Sequence, residues 1–301
     1  MGIAVNWAAV PNSTGYVLYR NVGSPVNLSA LPTDKVEVAS DVTSYTYPTG
    51  VNNTLYYIVV GSKKADGSVT YGDQIPIGYY PDTGPGPSVL LRGDWAFGYF
   101  GEVSSSELLV GNEIFQLLLT AVGAANVLPP TNAPTIATYH KCVIAGRIVF
   151  IPDNTYSAST ITPASLVTNK LIVVDGDYPN KGITGFKNGY EYVIRCPHAN
   201  LTGVSTPALA NYDGIYTTEL GMMFSLFGNT AGQLPVPVAG VTSYAKYRLG
   251  DLAPGTNVNV HWSTTLGASG AQYVYASLST NTLNYTVGAS ARPVLVLELL
   301  F

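Results

Sequence analysis

The chain has 301 residues, enough for two domains, and only 11% of them are charged, for a formal net charge of −4. No basic patch is present, so nucleic acid is not expected as a partner. The longest apolar run is too short to cross a bilayer, so we expect no membrane insertion. The chain opens without the basic and apolar segments of a signal peptide, so we expect it to be synthesised in a cytoplasm.

Residues 1–80 alternate apolar and polar side chains with a period of two, and turn residues interrupt them at short intervals. This pattern is typical of a β-sandwich. Asp66-Gly67 is predicted as a hairpin turn, because glycine tolerates the positive φ needed there. The predicted strands are Val5–Trp7, Gly15–Arg20, Val36–Val38, Ser44–Tyr47, Thr54–Val60 and Val69–Tyr71.

This first segment resembles a fibronectin type III domain, with Trp7 in the second-strand position and Tyr56 where that family has its corner tyrosine. The resemblance implies that Trp7 points inward and that the Tyr56 hydroxyl bonds back to a nearby backbone group. Tyr56, Ile58 and Val60 are expected to share the inward face. The first strand of the family is missing, which predicts an open edge that is either simply trimmed or a template for another chain.

Residues 81–88 contain three prolines and two glycines and are predicted to be a domain linker. Prolines stiffen a linker and glycines permit a bend, so we expect the domains to be spaced without rigid fusion. The predicted organisation is a sandwich over 1–80, a linker over 81–88 and a second domain over 89–301.

The second domain is predicted to be α+β or mostly β, which makes the fold class mainly β with some α. Ser104 and Glu107 have the spacing of a capping box at a helix start. Gly111 is expected to break that helix. The predicted inward face of the helix comprises Leu108, Phe115, Leu118, Leu119 and Val122. Later segments are predicted to be strands and loops, apart from a short helical piece at Glu219–Phe227.

Two segments, Gly98–Leu109 and Ser290–Leu300, carry a second resemblance. Their motifs, Tyr-x-Gly-Glu-Val-Ser-x-Ser-Glu-Leu and Arg-Pro-Val-Leu-x-Leu-Glu-Leu, resemble those of a family of tailed-bacteriophage virion proteins. The resemblance covers roughly 93–301. It implies strands around a Gly-Arg turn in Cys142–Phe150 and a second strand pair formed by Leu171–Tyr178 and Tyr190–Arg195. It implies a structural component of a phage particle, located in the virion, with other tail or capsid proteins as partners and a homo-oligomeric arrangement.

Two roles within a particle are compatible with this resemblance. The chain could be a surface-displayed tail, fibre or adhesion module that contacts a host surface glycan or protein. Alternatively, it could be a capsid decoration or joining protein that reinforces the particle without binding the host. A secreted polysaccharide hydrolase is a third reading, which would need paired carboxylates and a signal peptide.

One constellation could hold a metal: His140-x-Cys142 mirrored by Cys196-x-His198. Residues two apart on a strand face the same side, so two paired strands would offer a Cys₂His₂ zinc set. Cys142 and Cys196 could instead form a disulfide or remain reduced in the core. We predict no metal and no cofactor.

The candidate hydrolytic carboxylates are Asp94, Glu102, Glu107, Glu113, Asp175, Asp177 and Asp213. Glycosidases need two of them facing each other across a cleft. Glu107 has a capping explanation and Asp175-Gly-Asp177 a turn explanation, and no nucleophile-elbow, zinc-protease, phosphate-loop or dinucleotide motif occurs. We therefore predict a non-enzyme with no catalytic residues. The apolar run Pro293–Phe301 is predicted to be an inward strand, central in a sheet or buried against another subunit.

Overall fold

In the computed structural model the protein is mainly β, with one α-helix among the described residues. Within 259–285 the description is of the backbone alone. The described residues are 2–125, 127, 129–130, 136–153, 156–157, 166, 168–171, 182–197, 219, 259–267, 270–277, 282–285 and 294–301.

The first seven strands form a β-sandwich. They are β1 (Ile3–Asn6), β2 (Gly15–Val22), β3 (Lys35–Val38), β4 (Ser44–Tyr47), β5 (Thr54–Lys63), β6 (Val69–Tyr71) and β7 (Ile75–Tyr79). β1 and β4 pair as one sheet, and the other sheet has the order β3-β2-β5-β6, with β7 also pairing β5. The sequence analysis predicts all of these strands except β7, which contains Pro76, a residue that argues against a strand.

The core of the sandwich lies between its two sheets. Ile3, Val5 and Tyr47 of the two-stranded sheet pack against Leu18, Tyr56 and Ile58 of the other, and all six are buried. Each such apolar side chain stabilises the fold by about 1.5–3 kcal/mol relative to exposure.

Tyr56 has the hydrogen bond that the sequence predicts. Its hydroxyl accepts from the backbone N–H of Val51 at 2.7 Å. Val60 packs against the same core as Tyr56 and Ile58, so the predicted inward face of β5 is confirmed. Trp7 packs against this core from a position just beyond β1, where its side chain remains partly exposed.

The second part of the chain is built on a seven-stranded antiparallel sheet with the order β12-β13-β17-β11-β10-β9-β8. Its hydrophobic core lies on the face that the helix covers. Its strands are β8 (Arg92–Gly93), β9 (Phe97–Ser104), β10 (Thr138–Ile144), β11 (Arg147–Pro152), β12 (Ile183–Lys187), β13 (Tyr190–Arg195) and β17 (Val296–Leu300).

β17 lies inside this sheet, between β11 and β13. Leu297 and Leu299 belong to the core on the helix side, and Val294 and Leu295, which precede the strand, are also buried. The prediction of a central apolar strand is therefore confirmed, although pairing begins at Val296. Pro293 lies outside the described residues.

Two hairpins shape this sheet. β10 and β11 are joined by Ala145-Gly146, with φ of 49° and 76°, and β12 and β13 by Asn188-Gly189, with φ of 52° and 86°. Positive φ at both central residues matches the right-handed twist of the flanking strands. The first hairpin is as predicted, but the hairpin partner of β13 is β12. The predicted strand Leu171–Tyr178 lies outside the described residues, apart from Leu171.

The helix differs from its prediction. α1 runs from Gly111 to Val122, so Gly111 is its first residue and does not break it. Ser104 caps only a short 3₁₀ turn, where its hydroxyl accepts from the N–H of Ser106 at 3.3 Å. At the start of α1, the Glu113 carboxylate accepts from the backbone N–H of Val110 at 3.1 Å. The buried side chains of α1 are Ile114 and Leu118. The predicted capping box therefore lies several residues before the observed helix start, whereas Leu118 and Leu108 of the predicted apolar face are buried as expected.

The joint between the two parts is packed, which the linker composition did not suggest. Tyr80 stacks on Trp95 with ring centroids 4.8 Å apart and its hydroxyl donates to the carbonyl of Gly146. The indole of Trp95 also fills the space where Gly78 would carry a Cβ. Thr83 is buried, so the segment runs along the sheet and does not act as a loose spacer.

The remaining strands are β14 (Asn259–Gly267), β15 (Gly270–Ser277) and β16 (Thr282–Tyr285), which pair consecutively and antiparallel. His261 lies in β14. The helical piece predicted at 219–227 lies outside the described residues apart from Glu219. Among the described residues, no helix combines the length and the apolar character needed to span a membrane.

Candidate functional site

The mirrored cysteine and histidine residues do not meet. β10 and β13 are separated by β17 and β11, so their backbones are about 14 Å apart. Cys196 belongs to the core on the helix side. Tyr139 and Val143 of β10 also face that core, whereas Cys142 lies on the opposite face of the strand. A disulfide needs Cα atoms within about 7 Å. Both thiols are free, and the pairing that a four-ligand zinc set requires is not present. His198 lies outside the described residues.

His140 and the two thiols are held in unreactive states by burial. Burial lowers the pKa of His140 to about 4, and its Nδ1 lies 3.1 Å from the Tyr99 hydroxyl. Burial raises the pKa of both Cys142 and Cys196, which favours the thiol over the nucleophilic thiolate. In the described part of the chain, no three His, Cys, Asp or Glu side chains cluster as metal ligands would.

The candidate carboxylates have structural contacts. The Asp94 carboxylate accepts from the N–H groups of Ala96 and Phe97 at 2.8 and 3.0 Å in a turn. Glu113 pairs with Lys187 in addition to its role at the helix start. Asp175, Asp177 and Asp213 lie outside the described residues. Glu102 is exposed on β9, and Glu107 ends the 3₁₀ turn.

A buried ion-pair network lies on the sheet face opposite the helix. The Arg195 guanidinium is bound by both oxygens of Glu219 and by Glu298, and all three side chains are buried. Burial alone would lower the pKa of Arg195, but the two carboxylates outweigh it and raise the value. Every charge in this cluster is paired, so the network is a structural feature of the sheet. The sequence analysis missed it because Glu219 is distant from both partners in sequence.

A second buried charge, Lys141, binds the segment between the two parts of the chain. The Lys141 amine donates to the Thr83 hydroxyl at 2.9 Å and to the Gly84 carbonyl at 3.1 Å, and lies 5.2 Å from the centre of the Phe100 ring. Burial lowers the pKa of Lys141 to about 8. Because both acceptors belong to the predicted linker, this lysine has a structural role as well.

The described surface offers a different candidate, an open cleft of about 640 Å³ at one end of the sandwich. We call it the Trp7 cleft. One wall is the loop that joins β1 to β2, and the other is the β5–β6 hairpin. The lining residues are Trp7, Ala8, Val10, Pro11, Asn12, Tyr16, Val60, Ser62, Lys64, Thr70, Tyr71 and Gly72.

The loop wall of the Trp7 cleft is fixed by specific contacts. The backbone N–H of Val10 donates to the Tyr16 hydroxyl at 2.8 Å, and the N–H of Thr14 donates to the carbonyl of Lys63 at 2.9 Å. The rings of Trp7 and Tyr16 meet edge to face at 5.4 Å. The cleft is therefore formed before any ligand arrives, which reduces the entropy lost on binding.

One polar atom of Trp7 has no partner among the described residues. Its indole Nε1 is buried, so an atom in the cleft could reach it only after a shift of the ring. The hydroxyls of Tyr47 and Tyr192 are in the same state elsewhere in the described structure. The sequence predicts the inward ring of Trp7 but gives no sign of this cleft, because the loop 7–14 forms it through backbone contacts.

No family model, no curated protein and no solved structure matches this chain.

Proposed function

We propose that this chain is a structural component of a tailed-bacteriophage particle, with its N-terminal sandwich displayed on the surface as an adhesion module. The observation that carries the proposal concerns the two motif segments that resemble virion proteins. They are about 190 residues apart in sequence, yet β9 and β17 belong to the same sheet, with only β10 and β11 between them.

The apolar side chains of both motifs support this reading because they share one core. Val103, Leu108 and Leu109 of the first motif and Leu295, Leu297 and Leu299 of the second all belong to the same buried cluster. Glu298, the acidic residue of the second motif, is paired with Arg195. A resemblance carried by packed core residues fits a shared scaffold, and it fits a non-catalytic role.

We further propose that the sandwich is a fibronectin type III-like domain. Its strands pair as β1–β4 in one sheet and β3-β2-β5 with β6 and β7 in the other. The hydrogen bond from the Val51 N–H to the Tyr56 hydroxyl is the contact expected of a corner tyrosine. In this reading β1 occupies the second-strand position.

The Trp7 cleft favours the adhesion role over the decoration role. A protein that only reinforces a particle needs a surface that fits its neighbours. A preformed concave site with aromatic walls and a few polar groups is the usual form of a ligand site. We therefore place host-surface contact at this end of the sandwich.

The proposal is tested on particles. Mass spectrometry of gradient-purified phage from the source host should find the chain, and immunogold labelling with an antibody against residues 1–80 should mark the tail or its fibres. Uniform labelling of the capsid would support the decoration role instead. Absence of the chain from purified particles would refute a virion component.

A further inference from the structure

We propose that the Trp7 cleft binds a neutral saccharide, one or two rings of a surface glycan, and that it does so without a metal ion. The proposal deepens the proposed function and rests on it for the source of the glycan. The choice of ligand class follows from the cleft itself.

The aromatic rings suit the apolar face of a sugar. Trp7 and Tyr71 are both partly exposed within the cleft, and Tyr16 is buried behind Trp7. An aromatic face is negative, and the C–H groups on one face of a pyranose are weakly positive, so the two attract when stacked. Tryptophan and tyrosine also lose little conformational entropy when a ligand immobilises them.

The polar groups of the cleft suit hydroxyls. Ser62 and Thr70 sit opposite each other across the β5–β6 pair, and Asn12 adds an amide on the other wall. Hydroxyl and amide groups both donate and accept, which matches a ligand whose hydroxyls do the same.

An extended peptide is a poorer fit, because most of the backbone along this wall is already paired. Residues 61–63 of β5 pair with β2 on one side and with β6 on the other. β6 ends this sheet in the described part of the chain, but its edge is only three residues long, Val69–Tyr71, and gives a peptide little backbone to pair with. Recognition in the cleft should therefore rely mainly on side chains, which suits a compact ligand.

The charge of the lining argues for a neutral sugar and against a metal-dependent one. Lys64 is the only charged residue among those that line the cleft. Asp66 lies on the same hairpin, where hydrogen bonds from Ser68 and, to a smaller extent, the charge of Lys64 lower its pKa. The lining contains no carboxylate, whereas Ca²⁺ prefers carboxylate and carbonyl oxygens. Saccharide binding here should accordingly survive chelation.

The test uses the full chain and two kinds of probe. An array of bacterial surface polysaccharides identifies candidate glycans, and lactose, maltose and chitobiose are titrated in solution, with tryptophan fluorescence and saturation-transfer NMR as readouts. At least one neutral saccharide should bind, with the same affinity in calcium and in EDTA. Failure of every array glycan and every disaccharide to bind would overturn the proposal, as would binding of a proline-rich peptide at this cleft instead.

Variants locate the binding. Trp7→Phe leaves a smaller ring for stacking, and Asn12→Gly removes the amide while accepting the φ of 61° at that position. Each should weaken binding about tenfold, through lost stacking area in the first variant and a lost hydrogen bond in the second. Tyr57→Phe, in β5 but outside the cleft lining, is the matched control and should bind as the parent does. Unchanged affinity in both cleft variants would refute the assignment.

The two proposals fail separately. If the chain is found in purified particles but no saccharide binds the cleft, the ligand assignment is wrong and the virion role stands. If a saccharide binds and depends on Trp7 but particles lack the chain, the binding site stands and the virion role is wrong.

Discussion

Replacing Arg195 tests how the sheet face opposite the helix is stabilised. Arg195→Met removes the buried cation that pairs with both Glu219 and Glu298 and leaves the two buried carboxylates close together. Breaking one side of a buried ion pair costs about 3–5 kcal/mol, because the partner charge stays buried. We expect a loss of that size, which lowers the melting temperature by roughly 10 °C in a domain of this size.

The pH dependence follows from the loss of the buried cation. At neutral pH the folded variant would hold two buried carboxylates without the charge of Arg195, and each proton that they bind removes part of their repulsion. The folded variant should then take up protons that the unfolded chain does not, so its stability relative to the parent should rise as the pH falls from 7 to 5. Urea unfolding of both proteins at each pH measures this difference.

Two controls test whether the loss comes from the unpaired buried charges. Arg147 lies 4.0 Å from Glu298 with about a third of its side chain exposed, so Arg147→Met should cost less than about 1 kcal/mol. The triple variant Arg195→Met, Glu219→Leu, Glu298→Leu removes all three charges and should recover most of the loss. A loss for Arg195→Met no larger than that for Arg147→Met, with no pH dependence, would refute the reasoning.

Three further expectations follow from other contacts. Tyr56→Phe should lose about 1 kcal/mol in urea unfolding, because the Val51 N–H loses its acceptor; no measurable loss would contradict the corner role of the hydroxyl. The pKa of His140 is about 4 in the fold against an ordinary 6.5, so the contribution of this residue is present above pH 6.5 and lost as the pH falls towards 4. An NMR titration with a midpoint near 6.5 for its ring would oppose that. Limited proteolysis should spare residues 83–87 in the parent and cut them faster in Lys141→Met, because the hydrogen bond from Lys141 to Thr83 is lost. Lys187→Met is the control: it removes a partly exposed ion pair elsewhere and should leave residues 83–87 protected.

Patterns with a local cause were predictable from the sequence. Alternation and turn residues predict the sandwich strands, and the apolar run near residue 296 predicts a buried strand. Asn188-Gly189 is a strong hairpin signal in the sequence, and it marks the turn between β12 and β13. The helix start was misplaced because Ser104 and Glu107 fit a capping pattern that the fold uses only for a 3₁₀ turn.

Features that depend on distant residues could not be predicted. The Arg195 network joins residues 103 positions apart in sequence, and the Trp7 cleft depends on how a loop sits against a hairpin. The packed joint was missed for a related reason. Proline and glycine content indicates a linker. The hydrogen bond from Lys141 to the buried Thr83 joins residues 58 positions apart, and composition does not reveal such a contact.

The position of β17 between β11 and β13 sets the order in which this protein can fold. Val149 pairs with Glu298, so the middle of the sheet cannot close until a segment well over a hundred residues further along the chain arrives. Such long-range pairing is slow and leaves two strand edges open in the meantime. The sandwich closes through nearer pairs, such as β2 with β3, and can form first. Chains halted before residue 296 should therefore have a folded sandwich and an open, aggregation-prone sheet, so conditions that slow synthesis or release should reduce the yield of soluble protein.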